Sequence, residues 1–185
     1  MGRARLWLAA GLTLALMPPV AARATEVPDR YGLGITLGHA YDPDALDFVQ
    51  LAGFALYDYE RVWRHPAPEL LRFKVEASAG VTTQPRTRAM VSANMLACYY
   101  LERLATARLK PYAEAGIGLI YTDFRVSGQG WRFNFNPQAG FGAEITAGDG
   151  PPWFAAFRLH HISNGGLYQE NRGVNSVALQ IGRFF

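Results

Sequence analysis

The sequence predicts an all-β chain, folded as an eight-stranded antiparallel transmembrane β-barrel of the kind found in bacterial outer membranes. Three observations lead there. From about residue 31 to the end, apolar and polar residues alternate in strand-length segments. Most of these segments exceed the roughly five or six residues usual in soluble sheets and supply the roughly 9–11 that a tilted strand needs to cross a bilayer. Tyr and Trp gather near the segment ends, where a membrane barrel meets its two interfaces.

The first element is not a strand. Arg3 and Arg5 precede an apolar run from Leu6 to about Val20, and Ala22-Arg23-Ala24 places small residues around a cleavage position. Residues 1–24 therefore read as an export signal and residues 25–185 as one domain. The apolar run is short for a helical span and is interrupted by Pro18 and Pro19. Strands are expected over Tyr31–Gly38, Asp47–Trp63, Leu70–Thr82, Arg88–Glu102, Lys110–Asp123, Trp131–Ala147, Trp153–Ser163 and Asn175–Phe185. The third sets Leu71, Phe73, Val75, Ala77, Ala79 and Val81 against Arg72, Lys74, Glu76, Ser78, Gly80 and Thr82. The fifth sets Ala113, Ala115, Ile117, Leu119 and Tyr121 against Tyr112, Glu114, Gly116 and Gly118. The sixth sets Phe133, Phe135, Ala139, Phe141, Ala143 and Ile145 against Arg132, Asn134, Asn136, Gln138, Gly140 and Glu144. Turn-rich stretches at 65–68, 105–109 and 148–152 suit the periplasmic connections of a barrel with both ends inside. The outward loops then follow strands one, three, five and seven, the last being Asn164–Val174.

Periodicity alone does not separate a membrane barrel from a soluble sandwich with its charges in water. The chain end favours the membrane: Val177, Leu179, Ile181 and Phe185 share one parity, a pattern that looks like the terminal signature of outer-membrane barrels. Tyr57, Tyr59, Trp63, Tyr99, Tyr121, Trp131 and Trp153 are placed for an interfacial girdle. Arg72, Lys74, Glu76, Glu114, Arg132, Glu144 and Arg158 suit a narrow interior filled by side chains and ion pairs. Half of the residues are hydrophobic and 13% aromatic, yet mean hydropathy is near zero, as alternation dictates. A net charge of +3, with no basic stripe, argues against a nucleic-acid partner. Cys98 is the one cysteine, so no intrachain disulfide forms, and it reads as a small barrel residue.

The chemistry concentrates near the C-terminus. Trp153, Ala155, Phe157 and Leu159 share a face, and the same parity then delivers His161 and Ser163. A hydroxyl becomes a nucleophile when an adjacent base takes its proton, so this pair has the minimal composition for a Ser–His esterase. Strand seven runs outwards, and Asn175 opens strand eight with the parity of Val177, so His161, Ser163 and Asn175 converge on the lipid face at the outer leaflet. Asn175 is the candidate to orient His161 through its amide oxygen, although it brings no negative charge. Glu170 is the alternative acid. Asn164, Asn171 and the backbone N–H groups of Gly165 and Gly166 are the nearest donors for a tetrahedral oxyanion. Strict alternation points Asn164 inward. His160 faces away from His161, so the two make a poor chelating pair, and no metal site is expected. His39 and His65 read as turn residues, and Arg172 as a solvated side chain, with a lipid phosphate or Glu170 as the alternative partners.

The run His161-Ile162-Ser163-Asn164, the glycine pair after it, and Asn171-x-Gly173-x-Asn175 resemble the lipid A 3-O-deacylase family, PagL-like outer-membrane enzymes often grouped with acyloxyacyl hydrolases. The close match covers roughly residues 158 to 185, and the barrel pattern extends it loosely over the mature chain. One departure stands out: the best-known members carry a Glu where this chain has Asn175, and that Glu orients the histidine. The resemblance implies hydrolysis of the ester-linked 3-hydroxyacyl chain of lipopolysaccharide, with no cofactor, in the outer membrane. It also favours the glycine pair and Asn171 as oxyanion donors. Two other readings stay open: a non-enzymatic structural or adhesive barrel, and another lipid esterase or acyltransferase on this scaffold. Homodimerisation is also left open.

Overall fold

The computed structural model describes residues 30–185, so the expected export signal lies outside the described residues. The chain forms β1 (Arg30–Asp42), β2 (Leu46–Asp58), a short helix α1 (Tyr59–Trp63), β3 (Leu71–Gln84), β4 (Arg88–Tyr100), β5 (Leu109–Thr122), β6 (Phe133–Phe135), β7 (Gln138–Ile145), β8 (Trp153–Ile162) and β9 (Val174–Phe184). Sequential neighbours pair antiparallel, and β9 returns to β1, which closes the sheet into a barrel. The nine segments make eight staves, because β6 and β7 are one stave in two pieces. Both pair with β5 in one register, Leu119 opposite Phe135 and Gly116 opposite Gln138. The interruption falls at Asn136-Pro137, where proline has no N–H to give the ladder.

Two expected strands are thus corrected. The sixth is not continuous over Trp131–Ala147, and the second stops at Asp58 instead of Trp63. Asp58 caps α1, its Oδ1 accepting the Arg61 N–H at 2.8 Å, and Arg64, at φ 52°, ends it. Tyr59 and Trp63 then lie edge-on to Phe73, with centroids 6.2 and 5.3 Å away. Phe73 is accordingly covered, although Val75, Val91, Met95, Ile117, Phe141 and Leu179 are exposed on the outer wall. Such a wall is tolerable only against lipid.

An eight-stranded barrel has an interior just wide enough for side chains. Here its middle is ionic. Arg158, 1% exposed, donates from Nη1 and Nη2 to the Glu76 carboxylate at 2.6 and 3.0 Å, and from Nε to Glu114 at 2.6 Å. Lys74 donates to the other Glu114 oxygen at 2.8 Å. Two cations meet two anions, and Gln180 and Gln138 accept the further Arg158 hydrogens. Burial is affordable only with this degree of pairing. Apolar layers close the stack on either side: Phe48, Met90, Ile120, Val126 and Ile162 towards one rim, Phe54, Leu56, Tyr112, Phe154 and Phe184 towards the other. Cys98 is buried in the second layer. Of the charges expected inside, Arg132 is not there: it sits in the β5–β6 connection, about half exposed, paired with Asp123. Arg72 is half-buried against Asp58.

Candidate active site

At the rim where β8 ends and β9 begins, antiparallel register sets a row of side chains across four staves. Pro137, His161, Asn175 and Asp42 lie abreast, on β7's leading edge, β8, β9 and β1. Residues directly opposite in an antiparallel pair share a face, so their side chains meet. The meeting is a hydrogen bond: His161 Nδ1 to Asn175 Oδ1, 2.7 Å. The amide oxygen only accepts, so His161 carries its proton on Nδ1 and offers Nε2 as the basic nitrogen.

Ser163 stands one step further up, bridged to Phe135 by a reciprocal pair of backbone hydrogen bonds of 2.8 and 3.1 Å. It is two residues beyond His161 and partly exposed. Among the described residues its hydroxyl has no hydrogen-bond partner.

The loop beyond Ser163 is held from within by Asn164, which is 1% exposed. Its Nδ2 donates to the Glu170 carbonyl and its Oδ1 accepts the Gly166 N–H, at 2.8 and 2.9 Å. Gly165 and Gly166, at φ 65° and 80°, supply left-handed turns that suit glycine. Asn171 Oδ1 accepts the Asn164 N–H at 2.8 Å, which turns Asn171 Nδ2 outward. Asn164 and the Gly166 N–H are thus engaged within the loop, whereas Asn171 Nδ2 and the Gly165 N–H make no hydrogen bond among the described residues.

Glu170 gives the loop its backbone carbonyl and also lines a cavity of about 840 Å³ at the barrel mouth with Arg86, Arg125 and Gln129. Arg172 is neither solvated alone nor paired with Glu170: its Nη2 donates to Asp42 Oδ1 at 2.8 Å. Asp42 Oδ2 accepts the Asn175 Nδ2 hydrogen, also at 2.8 Å. Sequence reasoning missed Asp42 altogether, since it lies more than a hundred residues from the motif. It also gave Gly173 no role, although a Cβ there would fall 2.5 Å from His161 Cε1. The imidazole occupies the space that a side chain at Gly173 would need. Among the described residues no group of three or more His, Cys, Asp or Glu side chains gathers as a metal site.

An apolar outer wall around a charge-balanced interior, with a polar His–Asn–Ser group breaking that wall at one rim, defines an outer-membrane β-barrel. The profile of the lipid A 3-O-deacylase (PagL) family matches residues 52–183, and the chain belongs to that family. Its place is the bacterial outer membrane. Among solved structures, that of the outer membrane enzyme PagL is 24% identical, with 82% of this chain and 97% of that chain covered and a TM-score of 0.57. Neisserial surface protein A is 16% identical, with 84% and 94% covered and a TM-score of 0.62. Both likenesses are of fold. No curated protein matches in sequence.

Proposed function

We propose that the chain hydrolyses the ester-linked 3-hydroxyacyl chain of lipid A at the outer-leaflet surface of the barrel, with Ser163 as nucleophile and His161 as base. The observation that carries this reading is the 2.7 Å bond from His161 Nδ1 to Asn175, which fixes the tautomer with Nε2 basic on the face that bears Ser163. Ser163 Oγ attacks the acyl carbonyl while Nε2 takes its proton. Asn171 Nδ2 and the Gly165 N–H serve the oxyanion; one such donor contributes about 2.7–4 kcal/mol in a well-studied protease. On collapse the ester C–O bond breaks, and Nε2 returns the proton to the sugar hydroxyl that leaves. Water then attacks the acyl-serine, with His161 again as base, and free 3-hydroxy fatty acid departs.

The surroundings suit such a substrate. Phe135 lies opposite Ser163, and Trp131 packs at a tilt against Tyr168 of the site loop with centroids 5.7 Å apart. A shallow hollow of about 560 Å³ adds Tyr121, Phe133, Arg125 and Arg132, aromatic rings for acyl chains and guanidinium groups for phosphates.

Mass spectrometry of lipid A from Gram-negative cells expressing the chain tests the reading. Loss of one 3-hydroxyacyl group is expected with the native chain, and none with Ser163→Ala, whose barrel still folds. Asn175→Glu is expected to speed the loss. If native and Asn175→Glu chains both fold in the outer membrane and leave lipid A intact, the barrel is not a deacylase.

A further inference from the structure

The bond partner of Asn175 suggests how a neutral residue serves where a carboxylate would be expected. We infer that Asp42 is a positioning residue for the Ser163–His161 pair, supplying through Asn175 the negative charge that Asn175 lacks. The inference rests on the Ser–His reading above.

The geometry is a continuous chain of hydrogen bonds. His161 Nδ1–H donates to Asn175 Oδ1 at 2.7 Å, and Asn175 Nδ2–H donates to Asp42 Oδ2 at 2.8 Å. A carboxylate on the Nδ2 side draws density towards Oδ1 and fixes which way the amide points, so that oxygen faces the imidazole. As the Ser163 proton moves to Nε2, the imidazolium forms one side chain away from a full negative charge. Arg172 Nη2 donates to the other Asp42 oxygen at 2.8 Å, an exposed pair that leaves the Asp42–Asn175 bond independent of it.

The backbone is built for this contact. Along β1 and β9 the register is regular as far as Ala40 opposite Ser176, and it then skips, so that Asp42, not Tyr41, opposes Asn175. Unbulged, Asp42 would follow Thr36, Gly38 and Ala40 to the inner face. The bulge at Tyr41 turns it to the face of Asn175, the kind of re-aiming for which bulges serve beside active sites. Asp42 lies ahead of residue 52, where the family match begins.

The full-length protein, folded in detergent, is assayed in two ways: release of 3-hydroxy fatty acid from lipopolysaccharide, and phosphonylation of Ser163 by a fluorophosphonate, followed by intact mass. The second needs only an activated serine: Oγ–P forms, P–F breaks, and His161 takes the proton. Asp42→Asn is expected to lower kcat and the phosphonylation rate about tenfold with KM unchanged. Arg172→Gln, which spares the Asp42–Asn175 bond, is expected to keep most of the rate. In an Asn175→Glu background the charge is already beside His161, and Asp42→Asn is expected to cost nothing or to relieve repulsion. Equal losses in both backgrounds, a loss with Arg172→Gln as large as with Asp42→Asn, or no loss at all overturns the inference. Asp42-dependent phosphonylation without fatty-acid release keeps it and removes the lipid A reading. An unreactive Ser163 overturns both.

Discussion

Gly173 lacks a side chain where the His161 ring needs the room. Because the would-be Cβ lies 2.5 Å from Cε1 and 3.1 Å from Nε2, an alanine there must push the imidazole off its seat and away from Asn175. Gly173→Ala is therefore expected to lower kcat on the order of a hundredfold, the scale of a 1 Å misplacement, while the unfolding midpoint in detergent barely moves. A drop in stability without a drop in turnover would show that the glycine serves the loop and not the ring. The Asn residues of the site divide on similar grounds. Asn164 is turned inward and used up by the loop, whereas Asn171 is held by its oxygen and keeps its NH2 group outward. Alternation foretold the inward turn of Asn164, but which donors the loop would consume depends on its path, which no short-range pattern encodes.

At the scale of elements, most of the barrel was legible because a stave writes its two faces into the sequence at period two. The departures are places where a single residue or a distant partner overrides that period. Pro137 splits the sixth stave since it cannot donate, and parity carried backwards from β7 through Trp131 wrongly sent Arg132 inward. Asp58 begins a helix where alternation expected strand to continue. The skip at Tyr41 could not be read at all, because it exists only in the register with β9, more than a hundred residues later. Among staves, β8 contributes most inwardly through Arg158, which ties together carboxylates from β3 and β5. Arg158→Met would fill similar volume but strand Glu76 without its bidentate partner and leave Glu114 to Lys74 alone. A loss of about 3–5 kcal/mol is expected, read as a lowered denaturation midpoint of the refolded barrel. A midpoint unchanged within error would mean that the cluster is no more than neutral packing.

For the molecule as a whole, the outward face sets where it can live. Leu179, in the middle of β9, is 44% exposed, and an arginine there is expected to cost about 2–4 kcal/mol in a bilayer, measured by refolding into vesicles. A cost near zero would place that position at the interface instead of the lipid core. The interior has a different consequence. Its ionic centre is capped at both rims by Phe48, Met90 and Ile120 and by Phe54, Tyr112 and Phe154, which interrupt any file of water between them. Each copy is therefore expected to pass no current, checked by conductance of the refolded barrel in a planar bilayer. On that expectation an outer membrane with many copies gains no leak for ions, antibiotics or other small solutes, and the permeability barrier sets no ceiling on how much of this protein it can hold.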